Sequence, residues 1–348
     1  MAKHTRRAFL ATALPGTIAI GSSIAAFEPL LSASPKSQIP AAAQTRSYTS
    51  AKAALELAGK FSGWLESVEG GRAESDVVLE KIGLDHIQHK HLAGVKYDDI
   101  TVNCGTGMSK SFYDWIGATC DKKFARNSGA IVIADFNYKP ISRMEWFNAL
   151  ISEVGFPALD AGSKDPAKMT VSIRPELTRM VATSGAPNVI TGGRSVQKAW
   201  LPSNFRLKID GCPDACTRVS KIDALTVKTV LSSNPAGDLR NYQTQPVYLN
   251  VSNLVITADE AHSAELYQWH EDFVIKGNNG RDKLRGGTLE FLTPDLREIL
   301  FTLTFRGLGI FRLNPESVVA GAENIRRVKA EMYCEDIGFT YGPSAAVA

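Results

Sequence analysis

The chain has 348 residues, 44% of them hydrophobic and 22% charged, with 28 Gly and 16 Pro, which excludes a fibrous or wholly disordered protein and predicts about two domains. The formal charge is +3, but residues 44–181 carry 17 Lys/Arg against 17 Asp/Glu, and residues 182–348 carry 18 of each. Neither half has the basic surplus of a nucleic-acid binder, so electrostatic capture of DNA or of an anionic membrane is disfavoured.

The N-terminus reads as a targeting segment. Thr5-Arg-Arg-Ala-Phe-Leu10 has the form of a twin-arginine export signal. The Ala/Gly-rich run after it, residues 11–26, is too short and too weakly apolar to span a membrane. Residues 1–45 are therefore expected to be signal and linker, with Ala41-Ala-Ala43 as a cleavage region. The expected destination is the periplasm, the cell surface or the exterior, with no membrane span once the signal is removed.

Strands are expected at residues 54–58, closed by Gly59, and at residues 65–68. Val77-Val-Leu79 reads as strand-like, and the polar stretch after it, with His86, His89 and His91, reads as a solvated loop. A strand at residues 97–103 precedes Ser109-Lys-Ser-Phe-Tyr-Asp-Trp115, which recurs as Ser263-Ala-Glu-Leu-Tyr-Gln-Trp269, 154 residues later. The same offset aligns Ile100-Thr-Val102 with Leu254-Val-Ile256, and Arg143, Phe147 and Gly155 with Arg297, Phe301 and Gly309. Blocks held in one register argue for a tandem duplication. The repeated unit is read as a short helix, N-capped by Ser109 and Ser263. Its apolar stripes are Phe112, Trp115, Ile116 and Cys120 in one copy and Leu266, Trp269, Phe273 and Val274 in the other.

Beyond the helices the alternation has period two. Met144, Trp146, Leu150 and Val154 share one face, as do Ile299, Phe301, Leu303 and Phe305. Met169, Val171 and Ile173 match Val328, Ala330, Met332 and Cys334 in the closing strand. With no βα alternation, the fold class is mainly β: two tandem antiparallel β-barrels or sandwiches, each with one short α-helix. The expected boundaries are 46–181 and 203–343, joined by a Gly/Pro-rich linker over 182–202.

No catalytic set, metal site or cofactor site emerges. Gly105-Thr-Gly107 lacks the Lys-Ser/Thr of a phosphate loop. His270 beside Glu271 and Asp272 could be drawn as a dyad, but reads as a solvated helix face. Cys212 and Cys216, in Cys212-Pro-Asp-Ala-Cys216, are the one close pair among five cysteines, and a CxxxC without further ligands is weak evidence for zinc. The pair reads as a free or stapled turn.

Lys90-His-Leu-Ala-Gly94-Val-Lys-Tyr97-Asp-Asp-Ile100-Thr-Val102 resembles the signature of contractile phage tail tube proteins. Phe112-Tyr-Asp-Trp115 is similar to that family's following helix, and Phe205-Arg-Leu-Lys-Ile-Asp-Gly211 to its opening strand. The resemblance implies a tube-forming β-barrel related to the haemolysin-coregulated protein of type VI secretion, non-enzymatic, whose subunits join into six-fold rings that stack around a lumen. It also implies tube, baseplate or sheath components as partners, and places the extended segment before the helix where it can reach the next ring. Two departures matter: this chain has two such units, and it begins with twin arginines, so assembly outside the cytoplasm is expected, with the family's usual cytoplasmic assembly in a phage-tail-like particle as the alternative. Fused duplicates imply three chains in a pseudo-six-fold ring; a hexamer with one barrel in the wall and one outside is the other arrangement. The competing class is an exported ligand- or metal-binding protein on a duplicated barrel, with His86, His89 and His91 or the Cys212/Cys216 pair as its site.

Overall fold

A computed structural model describes residues 52–80, 87–183, 200–235, 242–317 and 325–347. The twin-arginine motif, His86 and most of the expected linker lie outside them. In the first half the strands before the helix are β1 (Lys52–Leu57), β2 (Lys60–Leu65), β3 (Ser67–Gly70), β4 (Ala73–Glu80), β5 (His89–Tyr97), β6 (Ile100–Cys104) and β7 (Met108–Ser109). Helix α1 (Lys110–Cys120) is followed by β8 (Asn127–Ala134), β9 (Pro140–Phe156), β10 (Leu159–Asp160), β11 (Met169–Arg174) and β12 (Leu177–Val181). The second half runs β13 (Phe205–Ile209), α2 (Pro213–Thr217), β14 (Val219–Ile222), β15 (Leu225–Pro235), β16 (Tyr242–Val251), β17 (Leu254–Asp259) and α3 (Ala264–His270). It ends with β18 (Arg285–Leu292), β19 (Ile299–Pro315), β20 (Arg327–Tyr341) and β21 (Ala346–Val347).

Local chemistry accounts for these elements. Alternate residues of β6 and β11 are buried, and Val102 pairs opposite Val171, so one face of the sheet is core. The β1–β2 hairpin turns at Ala58 and Gly59, both at positive φ (48° and 75°), as a two-residue connection requires. Glu66 separates β2 from β3 and donates its N–H to the Asn103 carbonyl, so the strand expected at 65–68 straddles two strands. The histidine stretch is strand as well: His89 and His91 lie on β5, paired with β4.

The two halves use one strand order. The first sheet runs β2-β1-β8-β9-β11-β6-β3, and the second runs β13-β18-β19-β20-β17-β14-β10. Equivalent ladders match residue by residue. Ile100 opposite Ile173 corresponds to Leu254 opposite Met332, and Leu177 opposite Phe147 corresponds to Asp336 opposite Arg306. The offset is 152 between β1 and β13, 154 from β3 to the helix, and 159 from β9 onward. The alignment of Arg143, Phe147 and Gly155 with Arg297, Phe301 and Gly309 is therefore wrong, because α3 continues into a π-helical turn, Glu271–Ile275, and a longer loop. Both long strands bend at equivalent points, Asn148 (φ 52°) and Gly307 (φ 74°), where a left-handed residue lets one strand turn from one sheet face to the next.

Local differences are also explicable. The second half has α2 where the first has β2, so it carries two α-helices instead of one. Pro213 opens α2 and suits a first helical position because it has no N–H to give a ladder. Ser109 caps α1 by accepting the Phe112 N–H at 3.3 Å. Ser263 occupies the same position, but its hydroxyl donates to the Asp259 carbonyl at 2.6 Å and caps nothing. Phe112, Trp115, Ile116 and Cys120 are buried, as are Leu266, Trp269 and Phe273, whereas Val274 is exposed, since the π turn rotates it off the stripe.

The expected halves 46–181 and 203–343 pack within one compact unit, residues 48–348. Tyr113 of α1 lies 5.4 Å from Phe301 and 5.2 Å from Tyr341, ring centre to ring centre. Trp200, within the segment expected to be linker, is buried 4.9 Å from Phe291 and 5.3 Å from Phe301. Phe301→Ala should cost about 3–5 kcal/mol in urea denaturation, and combining it with Tyr113→Ala should give a loss that departs from the sum by more than about 0.5 kcal/mol. Strict additivity would contradict a core shared between the halves.

Candidate functional site

The groups that invite a chemical reading do not converge. His89 and His91 are exposed on β5, with His91 Nδ1 3.4 Å from Glu80, and among the described residues no group of three or more His, Cys, Asp or Glu could hold a metal ion. Glu271 pairs with Lys276 at 3.0 Å, and Asp272 accepts from the Asn278 side chain at 3.0 Å, so both acids beside His270 are engaged elsewhere. Gly107 (φ 98°) donates to the Ala345 carbonyl and makes the turn into β7, which pairs with β21. All five cysteines are free thiols. Cys212 is the N-cap of α2 and Cys216 lies within that helix rather than in a turn, and Arg285 donates to Cys212 Sγ at 2.9 Å.

What the fold does bring together is backbone edges. β15 of the second half extends the first half's sheet along β9, with Thr226 opposite Gly155, Val227 opposite Val154 and Lys228 opposite Glu153. In return β10 of the first half adds to β14, with Leu159 opposite Ile222. Each half thus completes an edge of the other, and a paired edge no longer templates association. Lys228 and Glu153 form an ion pair of 3.1 Å across this ladder.

Side chains reinforce the exchange. Glu176 accepts from Arg126 at 2.6 Å and from the Thr244 backbone N–H at 2.9 Å, while Arg126 also donates to the Thr244 carbonyl. Lys122 lies 2.7 Å from Asp336, and the Tyr341 hydroxyl donates to Asp114 at 2.8 Å. The face of α1 bearing Tyr113 packs on β20, where Phe339 is 5% exposed.

Other edges have no strand on one side among the described residues. β4 pairs only with β5, forming a separate hairpin. The end of β19 is bonded to β20 alone. β13 has β18 on one side and on the other a groove of about 690 Å³ lined by Phe205, Leu207, Ile209, Cys216 and Val219. The sequence showed the strands but not these edges, because periodicity reports which face is buried and not which edge is paired.

Residues 54–177 match the family model of the T4-like virus tail tube protein gp19. No curated protein matches the chain significantly. Among solved structures, the chain is similar to a component of the anti-feeding prophage baseplate, 6-fold symmetrised, at 16% identity over 39% of this chain and 91% of that one, TM-score 0.30. It is similar to a chain of the PVC sheath/tube terminator of an extracellular contractile injection system at 18% identity, over 40% of this chain and 100% of that one, TM-score 0.36. Hcp1 from Flavobacterium johnsoniae aligns at 17% identity over 40% and 95%, TM-score 0.24.

Burial pushes the Cys104 and Cys120 thiols up to about 12, Cys212 to about 11 and Cys216 to about 12. The unfolded chain, with ordinary thiols, releases protons first as pH rises, so stability should fall progressively above about pH 9. Urea midpoints measured between pH 8 and 11 check this. A Cys120→Ser/Cys216→Ser variant should show a shallower fall, and an identical slope would contradict the burial argument.

Proposed function

From a chain that is tail-tube-like over residues 54–177, we propose a non-enzymatic structural subunit of a phage-tail-like tube or ring, built from two fused tube units. The observation that carries this reading is the repetition of one strand order in both halves together with the exchange of β15 and β10 between them. Two equivalent units joined edge to edge, head to tail, form a heterologous contact. Such a contact generates a ring when its rotation closes and an open filament when it does not.

Three chains then supply six units around a lumen, with alternate wall positions filled by first and second halves. The twin-arginine motif supports delivery of folded subunits out of the cytoplasm, so that assembly takes place outside it. No helix among the described residues is long and apolar enough to cross a membrane. Other tube, baseplate or sheath components are the partners this reading supplies. No group among the candidate residues offers a reason to invoke catalysis.

Negative-stain electron microscopy of the purified protein should show rings or stacked tubes with six density lobes. Native mass spectrometry should give a mass of three chains per ring. A species that stays monomeric at high concentration and at every salt concentration would overturn the proposal.

A further inference from the structure

The contact between the halves can be carried one step further, because each of its parts has a counterpart on the outside of the chain. Hairpin registers make Arg72, Ala73 and Glu74 the equivalents of Thr226, Val227 and Lys228, since Ala73 lies opposite Tyr97 as Val227 lies opposite Val251. Closing-strand registers make Asn314, Leu313 and Arg312 the equivalents of Gly155, Val154 and Glu153. Thr170, Val171 and Ser172 lie opposite the latter three as Lys329, Ala330 and Glu331 lie opposite the former.

Inside the chain, residues 226–228 pair with residues 153–155. Their counterparts do not meet within one chain, and residues 72–74, 312 and 314 are exposed. We propose that this junction is repeated between chains: Arg72 and the first two residues of β4 in one protomer pair antiparallel with residues 312–314 of β19 in a second copy, Glu74 facing Arg312. The proposal rests on the ring-forming reading above and specifies which edges close the ring.

Three features fit a second copy as the occupant. The first is charge. Lys228 faces Glu153 within the chain, and Glu74 would face Arg312 between chains, so the ion pair is kept with its signs exchanged. Opposite charges directly across a ladder stabilise the register and like charges disfavour it. The exchange also discriminates: Glu74 set against Glu153, or Lys228 against Arg312, would be repulsive, which favours alternation of the two junctions.

The second feature is apolar. Tyr267 of α3 is equivalent to Tyr113, and Met180 of β12 is equivalent to Phe339, because Met180 lies opposite Met144 as Phe339 lies opposite Leu303. Tyr113 and Phe339 are 0% and 5% exposed at the internal junction, whereas Tyr267 and Met180 are 37% and 67% exposed. Repeating the junction brings Tyr267 of one protomer against Met180 of the other, so that two large exposed side chains cover each other. The third feature is the limit of the ladder. The internal junction's fourth pair, Leu225 opposite Phe156, has Gly71 and Pro315 as counterparts, and Pro315 has no N–H to give, so the ladder is limited to three pairs at that end.

The test uses the full chain. Arg312→Glu and Glu74→Arg should each weaken self-association by about tenfold in sedimentation velocity, and the double variant E74R/R312E should restore it. Glu74 is exposed, so E74R should leave the urea midpoint of the monomer unmoved. R312E also removes the 3.0 Å pair of Arg312 with Glu331 across the β19–β20 ladder and should lower it slightly, so the loss in E74R and its rescue in the double variant carry the test. Independently, oxidation of an A73C/L313C variant should link chains covalently into a closed trimer, while neither single variant links. Rings of the A73C/L313C variant that assemble but do not crosslink on oxidation, or rings indifferent to both charge reversals, would overturn this interface and leave the ring reading standing. Monomers in every variant and in the unaltered protein would overturn both.

Discussion

The constraint on which the rest of this structure depends is that a sheet edge must be satisfied. Each N–H and C=O of an edge strand needs a partner or water, and a long flat edge recruits one from another chain. Here the chain answers within itself at one junction, where β15 lies along β9 and β10 along β14. The aromatic contacts of Tyr113 with Phe301 and Tyr341, and the Arg126–Glu176–Thr244 hydrogen bonds, follow from that pairing. They are formed only when two units stand side by side in this register.

Fusing two units changes the economy of assembly. An internal junction has no translational entropy to overcome at each encounter, so in the ring proposed above half of the contacts would already be made in the monomer. The remaining junctions are free to differ in chemistry as long as the backbone register is kept. The ion pair proposed between Glu74 and Arg312, with signs reversed from Lys228 and Glu153, and Tyr267 and Met180 standing where the internal junction has Tyr113 and Phe339, would be differences of that kind. Local departures such as α2 in place of β2 change what the second unit presents along β13 without altering the strand order.

Much of the fold was legible in the sequence. Period-two alternation at Met169, Val171 and Ile173, and at Val328, Ala330 and Met332, located closing strands that are buried on one face. The Ser-x-x-(Phe/Leu)-Tyr-x-Trp repeat located both helices. The alignment failed beyond α3 because a single offset cannot follow an insertion, and ladder registers can. The cap role of Ser263 failed because its hydroxyl has a closer acceptor in the Asp259 carbonyl. His89 and His91 looked like loop because a two-stranded hairpin exposed on both faces has no hydrophobic alternation to reveal it. The candidate surface was not legible, since edge pairing is a property of long-range register and leaves no local signal at residues 72–74 or 312–314.

The most direct measurement is amide hydrogen exchange on the full chain, compared between monomer and assembled particle. The account predicts that residues 153–156 and 225–228 are protected in both states, while residues 72–74 and 312–314 gain protection together, and only on assembly. New protection confined to another edge, such as β13, with residues 72–74 and 312–314 exchanging as in the monomer, would contradict it.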